Sequence, residues 1–333
     1  MFLYFGLNPC PKLVGHHNPV VDSHSEIFGS NITSITGSWN YLIISQDTGV
    51  TFCGDASINE LKNLMVPDHS RIQSVIAGKE HITFLTEHHE IWQLNIYTYR
   101  WNKIDRLISN NVDHKLEYVI KIGEHTSVLA LTNLGRIFNV HNPVKMPKNV
   151  KFTDFACGLE HAIMLTDDGD IYSMGMGTKG QLGHENLENC NEPELIRALA
   201  GLKIAKVSAG GWHSAVVTVE GDLYTWGWNK NGELGIITNQ QIINSPTLVI
   251  FNDKNGHVID IKIKEIECGN CFSVCRTDEG ELWGCGSNKY GQLTQSKLKL
   301  LKSAMFVKLD INYSGNISNF YCTQFGSIIK INE

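Results

Sequence analysis

Three histidines come first among the residues that could do chemistry. His81, His161 and His213 each follow a glycine by three residues. An imidazole titrates near neutral pH, so each could carry a proton to or from a substrate. A catalytic base is needed once, however, and these recur. Tyr41, Ser127 and Phe272 take the same place elsewhere in the chain. The recurrence predicts rings packed inside a repeated structure, with one nitrogen bonded to backbone. Cys268, Cys271, Cys275 and Cys285 have partly zinc-like spacing,. Yet Cys268-Gly269 repeats Cys157-Gly158, and strand alternation would turn Cys268 and Cys271 to opposite faces. Gly175-Met-Gly177-Thr-Lys-Gly180 spells a dinucleotide fingerprint, but it runs into Gln181-Leu182-Gly183 where a nucleotide site would open a helix. No Gly-x-Ser-x-Gly elbow or paired-carboxylate motif is present,. No catalytic residue, metal ligand or cofactor is expected.

Recognition chemistry is better represented. Trp212, Trp226 and Trp228 lie close together. Trp226 aligns with Met174 and Cys285 in sister segments and reads as core. Trp212 and Trp228 align with polar or variable residues (Glu160 and Cys271; Met176 and Ser287). Aromatic residues are enriched at interface centres, so these two are candidate partner-binding residues, with blade packing as the alternative. Asn229 and Lys230 follow directly and join the candidate surface, with a plain turn as the alternative. The stretch His184 to Glu194 carries Glu185, Glu188, Glu192 and Glu194. Glu185 and Glu188 could receive a basic tail such as a histone's, or could simply face solvent. Lys297 to Lys308 carries four lysines among apolar residues.

These residues are positioned by a repeat. Gly158 to Gly183 reads GLEHAIMLTDDGDIYSMGMGTKGQLG, Gly210 to Gly235 reads GGWHSAVVTVEGDLYTWGWNKNGELG, and Gly269 to Thr294 reads GNCFSVCRTDEGELWGCGSNKYGQLT. They align without a gap. The shared framework is Gly158, Gly169 and Gly175, then Gly210, Gly221 and Gly227, then Gly269, Gly280 and Gly286, with His161 and His213 beside it. The period is about 52 residues and then about 59, within the range of propellers and solenoids. Worn copies occur at Ser38 to Gly54, Gly78 to Leu94 (His89 in place of the second glycine) and Ser127 to Val140. Each copy reads as an apolar run, a polar turn ending in glycine, and an alternating strand. Six copies leave a seventh to be built from both ends. Phe5-Gly6-Leu7-Asn8 matches Trp226-Gly227-Trp228-Asn229. The expected fold is all-β: a seven-bladed β-propeller, its ring closed by the N-terminal strand joining the C-terminal blade. As one domain over residues 1–333, the blades fall at about 32–66, 72–115, 117–147, 150–198, 202–250, 260–308, and 316–333 completed by 1–15. Asn191 to Leu199 could add a turn or two of helix.

Composition narrows the function classes. The 333 residues are 42% hydrophobic and 19% charged, with net charge −6. A strong duplex-DNA binder carries a basic excess, and none is present. No apolar run approaches a membrane span, and no membrane partner is expected. The apolar start lacks the basic leading segment of a signal peptide. Nine cysteines, odd in number and without paired spacing, fit a reducing compartment,.

The motifs resemble the regulator of chromosome condensation family: Gly-x-x-His, Leu-Thr, Gly, Val-Tyr-x-Trp-Gly, Asn, Gly-Gln-Leu-Gly. The likeness is firm from about Lys151 to Leu293 and weaker before that. Glu194 to Leu234 is most similar to a small stand-alone member. The resemblance implies a seven-bladed propeller acting as a non-enzymatic scaffold. It implies partnership with a JmjC-domain oxygenase that modifies histones on chromatin, and support of chromosome segregation; a histone tail is a further candidate partner, through the acidic loop. It also implies residence in nucleus and cytoplasm and association with chromosomes; a monomer is expected for the chain alone. The alternative from the same family is guanine-nucleotide exchange on a small GTPase.

Overall fold

In the computed structural model, the chain is described over residues 1–10, 20–27, 32–46, 49–54, 62–104, 117–140, 142–311 and 315–332. Seven four-stranded antiparallel sheets form a ring. Blade 1 comprises Ile32–Gly37, Tyr41–Gln46, Gly49–Gly54 and Lys62–Leu64. Blade 2 comprises Ile72–Ala77, His81–Thr86, Ile91–Asn95 and Trp101–Ile104, and blade 3 Val119–Glu124, Val128–Thr132, Ile137–Asn139 and Asn142–Pro143. Blade 4 comprises Phe152–Cys157, His161–Thr166, Ile171–Gly175 and Cys190–Leu195, and blade 5 Ile204–Ala209, His213–Thr218, Leu223–Trp228 and Ile242–Leu248. Blade 6 comprises Ile263–Cys268, Phe272–Thr277, Leu282–Ser287 and Lys302–Lys308. The first strand of each blade touches the first strands of its two neighbours, all the way round, so these strands are innermost.

Blade 7 joins the two ends of the chain. Its inner strands are Asn316–Cys322 and Gly326–Asn332, and Phe2–Leu7 pairs with the latter from Phe2 opposite Lys330 to Gly6 opposite Gly326. Phe5 is buried in the place Trp226 holds in blade 5, and Asn8 is buried like Asn229. The N-terminal contribution runs further than residue 15: Val20–Ile27 is the outermost strand of this blade, paired with Phe2–Leu7. The chain start therefore supplies two strands, and closure hides both edges of the central pair.

Each polar turn places its glycine at positive φ, as at Gly169 (84°). His89, standing in the same place, adopts φ 61°, which a non-glycine residue visits rarely. Its ring lies on Tyr118 at 4.0 Å and its Nδ1 contacts the Val119 carbonyl oxygen at 2.9 Å, which ties blade 2 to blade 3. The longer interval from Gly221 to Gly280 has a local cause. A small hairpin, Phe251–Asn252 with Val258–Ile259, is inserted between blades 5 and 6. Asn191 to Leu199 is mostly outer strand, with a single 3-10 turn at Arg197–Leu199.

The apolar core lies between blades. Ile163, Leu165, Ile171, Ile196 and Leu199 of blade 4 pack on Ile204, Val216 and Trp226 of blade 5. Side chains of adjacent sheets interlock because every strand alternates its faces. One pairing overturns the expectation of unpaired cysteines: Cys10 and Cys53 form a disulfide with Cα atoms 5.7 Å apart. It joins the blade 7 segment after Leu7 to the third strand of blade 1. The other seven cysteines are free.

Candidate functional site

The histidines act as blade fasteners. His161 Nε2 lies 2.9 Å from Ser214 Oγ of the next blade, and Ser214 Oγ donates to the Gln181 carbonyl at 2.9 Å. The serine has one proton and gives it to that carbonyl, so the imidazole must donate through Nε2–H. Trp226 Nε1 donates to the same Gln181 oxygen at 2.9 Å. His213 repeats the arrangement one blade on, with Ser273 Oγ at 2.9 Å and the Glu233 carbonyl beyond it. In both rings Nε2 meets a hydroxyl, which relays to backbone. Burial drives the His161 pKa down to about 3 and that of His213 to about 4. Both are neutral at physiological pH, and His213 Nδ1 is buried without a partner. A group so placed does not shuttle protons. Gly158 and Gly210 lack room for a Cβ because the rings of His161 and His213, together with the carbonyl oxygens of Gly210 and Gly269, fill that space.

The remaining chemical candidates behave as structure. Gly175 to Gly180 ends a strand and turns into the loop before Cys190–Leu195, and no helix follows. Burial pushes the thiols of Cys157 and Cys268 up to about 12 and that of Cys271 to about 11. Cys275 and Cys285 are raised well above the usual thiol range by the same cause. Protonated thiols are poor nucleophiles and ligands. Among the described residues, no three His, Cys, Asp or Glu side chains form a group that could hold a metal ion.

The recognition candidates collect on one face. In every blade the first and third strands end on the same side, called here the upper face. Trp212, in the loop after the first strand of blade 5, and Trp228, at the end of the third, are neighbours there. Trp228 N–H donates to the Trp212 carbonyl at 2.8 Å. Gly227 makes this approach possible: its φ is 109°, and a Cβ would sit 2.5 Å from the Trp212 oxygen. Both indoles are half-buried. Trp212 Nε1 donates to Glu160 Oε2 of blade 4 at 3.2 Å, and Lys179 Nζ lies 4.6 Å from the Trp228 ring centre. Glu160, Trp212, Trp228 and Lys179 thus form a strip across the junction of blades 4 and 5. Glu160 and Lys179 were missed in the sequence. The signal was there for Glu160, which holds in blade 4 the repeat position that Trp212 holds in blade 5.

The other candidates divide. Asn229 is buried, and its Oδ1 accepts from Leu234 N–H at 3.2 Å, as Asn288 Oδ1 accepts from Leu293 N–H at 2.8 Å. It shapes its own loop and does not reach the surface, contrary to its place on the candidate surface. Lys230 is exposed beside it. Glu185 and Glu188 are exposed in the blade 4 loop on the upper face, and Glu185 N–H fixes that loop to the Asn244 carbonyl of blade 5 at 2.9 Å.

Comparison with known proteins agrees with this framework. Models of the regulator of chromosome condensation (RCC1) repeat match residues 168–217 and 220–276, and a second model of that repeat matches 152–181, 204–233 and 263–292. The chain carries RCC1 repeats. Human RCC1 domain-containing protein 1 is 35% identical over 167 residues, 41% of this chain and 44% of that protein. The human E3 ubiquitin-protein ligase HERC2 is 38% identical over 138 residues, 41% of this chain and 3% of that protein. The matches thus span less than half the length of either relative. Human WBSCR16 shares the fold with TM-score 0.81 over 100% of both chains at 15% identity. Prp20p of Saccharomyces cerevisiae, a structure described with its binding properties to Gsp1p and histones, gives TM-score 0.79 over 98% of this chain and 90% of that one at 16% identity. RCC1-type propellers are protein-binding folds.

Proposed function

We propose that this RCC1-repeat propeller is a non-enzymatic adaptor that binds its partner through the upper face at the junction of blades 4 and 5. The observation that carries the reading is the Glu160–Trp212–Trp228–Lys179 strip: two tryptophans at positions not aromatic in sister blades, presented on a rigid ring beside the exposed Glu185 and Glu188. Rigid scaffolds with variable loops are suited to recognition, and half-buried indoles, each with one charged neighbour, suit an interface centre,.

The finer reading is a chromatin-associated adaptor for a JmjC-domain oxygenase that modifies histones, with a role in chromosome segregation and residence in nucleus and cytoplasm. Its support is the likeness to RCC1 domain-containing protein 1, 35% identical over 41% of this chain. The acidic loop suits a basic histone tail, and histones are a partner named for Prp20p. A second reading, guanine-nucleotide exchange on a small GTPase, draws on the shared fold with Prp20p, described as binding Gsp1p. The short outer strand of blade 3, Asn142–Pro143, gives less scaffold for a dedicated exchange insertion.

Affinity purification with mass spectrometry, comparing the native chain with Trp228→Ala, tests the adaptor reading. It expects a JmjC-domain protein that is depleted by the substitution. Release of a fluorescent guanine nucleotide from a GTPase by the purified chain would instead favour exchange.

A further inference from the structure

The run Lys297-Leu-Lys-Leu-Leu-Lys302 is left unused by the adaptor reading. It lies between the third and outer strands of blade 6, on the upper face. Leu300 is the anchored residue: its side chain packs against the core, and its carbonyl accepts from Asn288 Nδ2 at 2.7 Å. A turn bond from Lys299 N–H to the Ser296 carbonyl, 2.9 Å, fixes the rest. The other side chains point outward. Leu298 is 90% exposed and Leu301 62%. Lys297, Lys299 and Lys302 are exposed as well. Among the described residues, Lys297 and Lys299 make no ion pair, and the charge of Lys302 reaches the buried Glu233.

The local charge is one-sided. Between Glu281 and Asp310 there are five lysines and no acidic residue, in a chain of net charge −6. Sister loops also expose an aliphatic residue, Leu187 in blade 4 and Ile237 in blade 5. Their flanks are acidic or neutral, so the basic setting belongs to blade 6 alone of these three.

We propose that this loop seats the blade 6 edge of the upper face on an anionic lipid bilayer. An anionic interface accepts both parts of the loop at once. Leucines enter the headgroup–acyl boundary while ammonium groups stay among anionic headgroups. The earlier expectation of no membrane partner rested on the lack of a spanning segment, and peripheral contact needs none. One short loop gives weak and reversible attachment. The proposal is independent of the adaptor reading.

Vesicle co-sedimentation tests it, using phosphatidylcholine vesicles with and without about 30% phosphatidylserine. The native chain binds the phosphatidylserine vesicles and is released as salt rises. Lys297→Glu with Lys299→Glu lowers binding at least 20-fold, from about fivefold per lysine. Leu298→Ala with Leu301→Ala lowers it about tenfold, with circular dichroism unchanged. Equal binding to both vesicle types, no binding at low salt, or binding indifferent to these changes would overturn the proposal. So would an acidic polypeptide, polyglutamate, that binds the native chain and the leucine variant equally well and outcompetes the vesicles, because the loop would then be a plain polyanion contact.

Discussion

Trp212 and Trp228 are joined by a backbone hydrogen bond of 2.8 Å, and their indoles reach opposite charges on the neighbouring blade. Trp212 holds Glu160 and Trp228 holds Lys179. Each indole therefore has a structural contact and a free flank. A truncation should cost some stability, and the effect on binding must be measured against it.

The two fastener histidines give the first prediction. His161→Ala or His213→Ala leaves a cavity and an unpaired Ser214 or Ser273 acceptor site. Each should lower stability by about 1–3 kcal/mol in urea unfolding. His213→Phe should cost less, since Phe272 occupies that position in blade 6.

The same residues set an acid limb. Their folded pKa values, about 3 and 4, lie below the unfolded value near 6.5. The unfolded chain binds more protons, so their contribution is complete above pH 6.5 and is lost as pH falls toward 4. At pH 5 the loss should be about 2 kcal/mol per histidine. The His161→Phe, His213→Phe double variant should show a flatter profile between pH 6.5 and 4.

Two carboxylates on the innermost strands have the opposite sign. Burial pushes Glu124 and Glu267 up to about 7. Here the folded chain binds more protons, and stability is lost as pH rises from 4.5 through 7. Glu267→Gln should gain about 1–3 kcal/mol at pH 8, allowing for partial solvent screening, and nothing at pH 4. Parallel melts at the two pH values check this.

Ring closure should depend on the chain start. Removing residues 1–9 takes away Phe2, Leu3, Tyr4 and Phe5, all buried. At about 1.5–3 kcal/mol each, their loss rivals the whole stability of a typical domain. Light scattering should detect aggregation; a soluble truncation with an unchanged melting temperature would contradict the closure.

The Cys10–Cys53 link adds a separate restraint. Denatured native chain should titrate seven thiols, rising to nine after a dithiol reductant. Cys10→Ser should lower stability by about 2–4 kcal/mol, and the reductant should then have no further effect. In a reducing compartment the thiol form is the relevant one, so its melting temperature bears on the nuclear reading.

Much of this fold was legible because the repeat declares itself. The blade 7 match rested on four residues, Phe5 to Asn8, and the structure gives them the same strand position as Trp226 to Asn229. Val20–Ile27 was missed because an outer strand bears none of the repeat's glycines. The disulfide was missed because its partners lie in different blades, 43 residues apart, and only ring closure brings them together. Asn229 was misread because a loop-shaping asparagine and a surface one look alike until its Oδ1 is seen facing Leu234 N–H. The Trp212–Glu160 contact required knowing that equivalent positions of successive blades are neighbours.

The central claim is that the blade 4–5 strip on the upper face binds a protein partner. The most direct measurement is the affinity of Trp228→Ala for the protein partner recovered by affinity purification, taken with its melting temperature. The account predicts a loss of about 2 kcal/mol or more in binding, with a melting temperature lowered only by the lost packing on Lys179. A large fall in melting temperature, with affinity reduced only in proportion to unfolded protein, would contradict it and return Trp228 to blade packing.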